Sequence, residues 1–192
     1  MKVWKRSLPV WLLTLVMLLT ACGTPSQPDQ PDGTETWREA YEETGAYLQA
    51  QTAPTAGSIG GEWAVIGLSR AGLLSDETAQ SYEQTVEDYV KQAGSVRLHH
   101  AKSTENSRTI LGLTAAGYNA ANVAGVDLTA GLTDMAYLRA QGTNGPIWAL
   151  IALDCHGYDI PQCADGEEQT TREGLVAEIL SYPVSYTHLT LP

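Results

Sequence analysis

The strongest constraint on this chain is an internal repeat. Trp63-Ala-Val-Ile-Gly-Leu-Ser-Arg-Ala-Gly72 and Trp148-Ala-Leu-Ile-Ala-Leu-Asp-Cys-His-Gly157 carry Trp, Ala, Ile, Leu and Gly at the same offsets. Arg108-Thr-Ile-Leu-Gly-Leu-Thr-Ala-Ala-Gly117 is a third copy, with Leu113 and Gly117 in register and Arg108 where the other two have Trp. The closing glycines stand 45 and then 40 residues apart. Two nearly identical blocks, Ala46-Tyr-Leu-Gln-Ala-Gln51 and Ala136-Tyr-Leu-Arg-Ala-Gln141, precede the two Trp copies. Repeats of this period are arrays of supersecondary units, which bury their apolar faces only by stacking on one another.

Each unit reads as two helices. The Trp-to-Gly block is apolar on nearly every side, which predicts a helix buried all round. Gly72, Gly117 and Gly157 are placed to end it in the left-handed conformation that a Cβ would penalise. The second helix is amphipathic. Ser75 is its expected N-cap, and Tyr82, Val86, Tyr89 and Ala93 fall at i, i+4, i+7 and i+11, with Glu83, Glu87, Asp88 and Lys91 off the stripe. Asp127 is expected to cap a further helix carrying Leu128, Leu132, Met135 and Leu138, with Arg139 beside them. Thr170-Thr-Arg-Glu173 reads as a capping box opening a last helix with Leu175, Val176, Ile179 and Leu180. The absence of Phe and the abundance of Ala suit close helix packing better than a β-sandwich. Buried helices alternating with half-buried ones predict an all-α fold, an α/α toroid with an inner ring of helices inside an outer one.

The same residues resemble a known repeat. Gly61-Glu-Trp63 with Leu48 to Gln51 before it, and Leu138 to Gln141 with Gly145 and Trp148, are similar to the prenyltransferase and squalene-oxidase repeat of terpenoid cyclase-like α/α-toroid proteins. The resemblance runs over roughly Trp37 to Tyr182. It implies roughly six hairpins in a closed ring, of which residues 36–183 supply roughly three, a partial toroid.

The two ends read differently. Lys2, Lys5 and Arg6 precede an apolar run from Pro9 to Leu19, which is too short to span a bilayer and fits the core of a secretory signal. Leu19-Thr20-Ala21-Cys22 resembles the bacterial lipoprotein box, which implies cleavage after residue 21, lipidation of Cys22, and a membrane-anchored protein on the extracytoplasmic face. Acyl chains contribute about 0.8 kcal/mol per buried CH2, so two of them anchor stably. Residues 22–35, rich in Pro, Asp, Gln, Ser and Thr, are expected to form a disordered tether. Val184 to Pro192 (VSYTHLTLP) is similar to the conceptual translation of a transposase-type sequencing adapter. That reading sets Tyr186 and His188 aside as site candidates and has the native chain continue past Pro183.

The chain holds 11 Lys and Arg against 22 Asp and Glu, and removal of the signal leaves 8 against 22, a net charge of −14. Such a surface argues against a nucleic-acid partner and against binding anionic lipid through protein charge. Among candidate sites, Asp154-Cys155 begins like one cyclase motif, but the residues that should follow are replaced by His156-Gly157-Tyr158. With 7% aromatics the chain is also a poor source of a carbocation cavity. Asp154, Cys155 and His156 are metal-ligating types, and consecutive residues on a helix point about 100° apart. They can share one ion only in a loop conformation, which the helix end there allows and which His99 and His100 could join; the alternative is solvated or capping residues. Cys155 and Cys163 can close a small disulfide loop in an oxidising compartment, the alternative being two separate thiols.

No catalytic residue or metal site is assigned, and the expected function is non-enzymatic binding of a small-molecule or glycan ligand at the cell surface. Exported members of the toroid family related to cobalamin carriers imply a corrinoid as one ligand for a longer chain, with no cofactor held by this part alone. The alternative is an enzyme acting on polysaccharide, for which Asp134, Asp154, His156 and Tyr158 are the nearest candidates. A cell-wall spacer or adhesin is a third reading.

Overall fold

Short polar side chains mark where helices begin along this chain. The computed structural model describes residues 33–51 and 53–182. In order these form α1 (Gly33–Ala50), α2 (Ile59–Arg70), α3 (Asp76–Ala93), α4 (Ser103–Ala115), a 3-10 helix (Leu128–Leu132), α5 (Met135–Arg139), α6 (Asn144–Asp154) and α7 (Arg172–Ser181). The described residues form no strand beyond isolated bridges at Val123–Val126 and Asp134–Gln169, so the fold is all-α. The signal segment, Cys22, the tether up to residue 32, and residues 184–192 lie outside the described residues.

The chain divides into two units, Met1–Glu42 and Glu43–Pro192. In the first, the Arg38 guanidinium lies over the Trp37 ring at 5.6 Å. The core and every site described below belong to the second.

Several expectations hold. Gly72, Gly117 and Gly157 take φ of 68°, 89° and 65°, the left-handed stops the repeat calls for. Ser75 caps α3 as expected by accepting from Thr78 N, and Ser58, which the sequence reading did not single out, caps α2 by accepting from Gly61 N. Other expectations need correction. On α3 the buried stripe is Ala79, Tyr82, Val86 and Val90, and Tyr89 and Ala93 are only half-buried. The helix expected after Asp127 is two pieces. Asp127 caps the 3-10 helix through Thr129 N, and Asp134 caps α5 anew through Ala136 N. A Cβ on Gly131 would stand 2.4 Å from Val96 O, so the chain is pressed against the 95–102 stretch at that break. The last cap is Thr171, not Thr170. Thr171 accepts from Gly174 N, while Thr170 is buried and donates its own N–H to Thr133 O.

α2, α4 and α6 lie side by side, with α4 in the middle. They run parallel, because N-terminal Glu62 meets Arg108 and C-terminal Ser69 donates to Ala115 O, while Gln141 just before α6 meets Ser103 and Thr104 at the start of α4. One face of this row packs into a core shared with α3, the 3-10 helix, α5 and α7, through Val65, Ile110, Leu113, Ala149 and Leu153 against Tyr82, Val86, Leu128, Leu132, Leu138 and Leu175. Side chains from neighbouring segments close the helix ends. Lys102, at the N-cap of α4, makes no capping bond with its side chain, and Gln141 Oε1 accepts from Thr104 N at 2.9 Å instead. Arg172 donates to Leu153 O and Tyr158 O and pairs with Asp154 at 2.7 Å, satisfying the C-terminal end of α6.

Candidate functional site

The repeated Trp-to-Gly helices are not buried all round. Trp63 is 42% and Ile151 43% exposed, while Val65, Leu68, Ala149, Ala152 and Leu153 are fully buried. Apolar residues circle the helix because one arc meets the core and the opposite arc lines an open groove. The groove holds about 560 Å³, within the range of small-molecule sites.

Its wall is a ladder of equivalent repeat positions. Parallel packing in register brings together the first residue of each copy, Trp63, Arg108 and Trp148, then the fourth, Ile66, Leu111 and Ile151, then the eighth, Arg70, Ala115 and Cys155. Steps of three and four residues keep one face of a 3.6-residue helix towards the groove. The middle rung is wholly aliphatic. On the first rung Trp63 and Trp148 meet edge to face across the middle helix, with ring centroids 5.4 Å apart. Such a contact contributes about 0.5–1.5 kcal/mol beyond area burial.

Arg108, standing where the other copies have Trp, faces a polar bay of about 260 Å³ beside the tryptophans, together with Thr104, Gln141 and Asn144. Its Nε donates to Glu62 Oε2 at 3.2 Å and its Nη2 to Glu105 Oε2 at 2.6 Å. Glu62 is fully buried, and its other carboxylate oxygen accepts from Gly57 N at 2.6 Å. Burial pushes the Glu62 carboxyl above the usual carboxylate range, against the opposing pull of the Gly57 N–H and of Arg108. Beneath this pair lies Tyr82. Its hydroxyl is buried and bonds no other described group, and burial, reinforced by Glu62, holds the phenol well above its ordinary value.

The residues singled out for catalysis are not gathered here. Asp134 caps α5 and pairs with Arg97 at 3.0 Å, and Arg97 also pairs with Glu167 and lies over the Tyr137 ring. Asp154 is exposed and held by Arg172. His156 is exposed beside Tyr158, whose buried hydroxyl meets Thr114 Oγ1 at 2.8 Å and accepts from Ala120 N. Asp134 stands apart, whereas Asp154, His156 and Tyr158 lie together at the end of α6, with Arg172 bonding both Asp154 and the Tyr158 carbonyl. His99 stacks on His100 at 4.5 Å, and no group of three metal-ligating side chains converges among the described residues.

Cys155 and Cys163 are separate thiols. Cys155 Sγ donates to Ala152 O at 3.1 Å and Cys163 Sγ to Glu167 O at 3.6 Å, so each finds a local acceptor. Cys155 closes one end of the groove, and burial raises its thiol. No helix among the described residues is long and apolar enough to cross a membrane.

Sequence reading missed the ladder. The signal was present in the register of the three copies, because positions 66, 111 and 151 are all aliphatic and 63 and 148 are both Trp. Hydrophobic periodicity does not separate an arc that faces a core from one that faces a groove. No protein-family model, curated protein or solved structure matches the chain.

Proposed function

We propose that this protein is a lipid-anchored, extracytoplasmic ligand-binding protein, without catalytic activity of its own, built on an α/α-toroid scaffold. The observation that carries the reading is the ladder groove. An open apolar trough walled by Trp63 and Trp148 and floored by Ile66, Leu111 and Ile151 exposes surface that folding would otherwise bury. The ring reading draws support from the parallel, adjacent packing of every second helix, α2, α4 and α6, over an outer set of elements. Anchoring rests on Cys22 and the segment before it, and the corrinoid candidate rests on the family resemblance.

The fit to a corrinoid is partial. An apolar floor matches the face of a macrocycle, but the amide rim needs hydrogen-bond partners. Ser69 and Thr114, the hydroxyls of the groove, are already engaged with Ala115 O and with Ile110 O and Tyr158. Among the described residues only Arg70 on that rim is left without an ion pair.

The test is co-elution of an added corrinoid with the purified protein, alongside uptake of an uncharged apolar fluorophore. Trp63→Ala and Trp148→Ala are expected to lower fluorophore uptake together. Corrinoid eluting free of the protein removes that ligand from consideration, and failure of the wild-type protein to take up the fluorophore overturns the groove reading itself. For the anchor, Cys22→Ser is expected to move the protein out of the membrane fraction. Unchanged partition would overturn lipidation at that residue.

A further inference from the structure

We infer that the groove takes an uncharged amphiphile with a hydroxyl-bearing ring as its head, the chemistry of a neutral glycoside with an apolar tail. The inference rests on the groove being a ligand site and adds which ligand suits it. Trp63 and Trp148 are shared by two adjoining spaces of opposite character. On one side lie the aliphatic rung and a trough of about 560 Å³. On the other lies the bay of Arg108, Gln141 and Asn144. A ligand that fills both must be apolar at one end and hydrogen-bonding at the other.

Charge decides which head. Arg108 is the cation of the bay, but Glu62 and Glu105 both close upon it, so its charge is more than matched. The chain as a whole is strongly acidic. A carboxylate or phosphate head would therefore enter a negative field. A quaternary ammonium head would be drawn by that field but would find no free carboxylate in the bay, since Glu62 and Glu105 are both engaged by Arg108, and would lose its hydration unpaired. A neutral head meets neither penalty.

The bay also offers the right bonds. Asn144 is exposed, and its carboxamide, both donor and acceptor, bonds no other described residue. Arg108 Nη1 makes no bond among the described residues. A saccharide ring presents several hydroxyls at its edge and an apolar C–H face, which suits indole walls beside amide and guanidinium donors. The rival arrangement, an anionic head on exposed Arg70 at the far end of the groove, places the charge where solvent screens it.

The experiment uses the full chain carrying Trp4→Phe, Trp11→Phe and Trp37→Phe, so that Trp63 and Trp148 are its two remaining tryptophans. Four probes are titrated below their micelle concentrations: octyl glucoside, octanol, octanoate and glucose. Octyl glucoside is expected to shift the emission saturably, with octanoate and glucose at least about tenfold weaker. Asn144→Ala, an exposed position that leaves the core intact, is expected to weaken octyl glucoside about fivefold and to leave octanol unchanged. Octanoate binding as tightly as the glucoside overturns the neutral head while the groove reading stands. Equal affinities for octanol and octyl glucoside, with no effect of Asn144→Ala, overturn the head site in the same way. If no probe moves the emission, the groove reading falls with the inference.

Discussion

Replacing Tyr82 by Phe should make this protein more stable. The Tyr82 ring is fully buried between α3 and α4, and its hydroxyl has no partner among the described residues. An unsatisfied buried hydroxyl costs about 1–3 kcal/mol. Removing it leaves the ring in place and opens almost no space, so a gain of about 1 kcal/mol is expected. In a domain of this size that corresponds to a rise of roughly 2–4 °C in Tm. Gly112 supplies the internal control. A Cβ there would stand 2.4 Å from the Tyr82 hydroxyl oxygen but 3.0 Å from the ring carbon that bears it. Gly112→Ala alone should therefore lose its helix-propensity gain of about 1 kcal/mol, and more, to overlap of about 1–3 kcal/mol. In the Tyr82→Phe background most of that overlap disappears, and the two changes should couple by at least about 1 kcal/mol. Urea unfolding followed by far-UV circular dichroism, with unchanged m-values, measures all four corners of the cycle. Destabilisation by Tyr82→Phe, or additivity to within about 0.5 kcal/mol, would show that the hydroxyl is satisfied and refute the reasoning.

Two further outcomes follow from the same packing. Because burial raises the Glu62 carboxyl above its ordinary 4.5, the folded state holds that proton more tightly than the unfolded chain. The stability it contributes is complete below that ordinary value and is lost as pH rises through the raised one. Glu62→Gln should flatten this decline relative to wild type in melts taken between about pH 4 and 7, and parallel curves would rule the linkage out. At Gly145 a Cβ would stand 1.9 Å from the Leu138 carbonyl oxygen, which belongs to rigid backbone, whereas at Gly67 it would meet nothing within 4 Å. Gly145→Ala should cost about 3 kcal/mol or more and Gly67→Ala should gain up to about 1 kcal/mol, and equal effects in thermal melts would contradict the close approach.

Much of the helix punctuation was readable from residue type alone. Gly72, Gly117 and Gly157 stop helices because left-handed backbone is cheap only without a Cβ, and Ser75 starts one because its hydroxyl reaches a free N–H. These are local effects, decided within a few residues. The errors arose where distant segments decide. Thr170 and Thr171 are equally able to cap α7, and the choice falls to Thr171 because Thr133 O claims the N–H of Thr170. The break between the 3-10 helix and α5 follows from Asp134 answering both Ala136 N and Arg97. Of the site, the tryptophans stood out in the repeat, but Glu62 carried no signal. One carboxylate in an apolar block looks like surface until Arg108, 46 residues away, is placed beside it.

The rungs of the groove have a consequence for how this chain can change. Trp63 and Ile151 stand largely outside the core, so replacing either touches the cavity wall more than the packing behind it, whereas Arg108 is tied to buried Glu62 and Leu111 leans on the core. The outer copies therefore offer editable sites at the first two levels of one trough, while the central copy is held by its own partners. Exchange of tryptophan for arginine in the central copy alone turns a uniform aromatic shelf into a two-faced one. Duplication followed by divergence at such places can refashion what the trough accommodates while the hairpins that frame it are inherited intact.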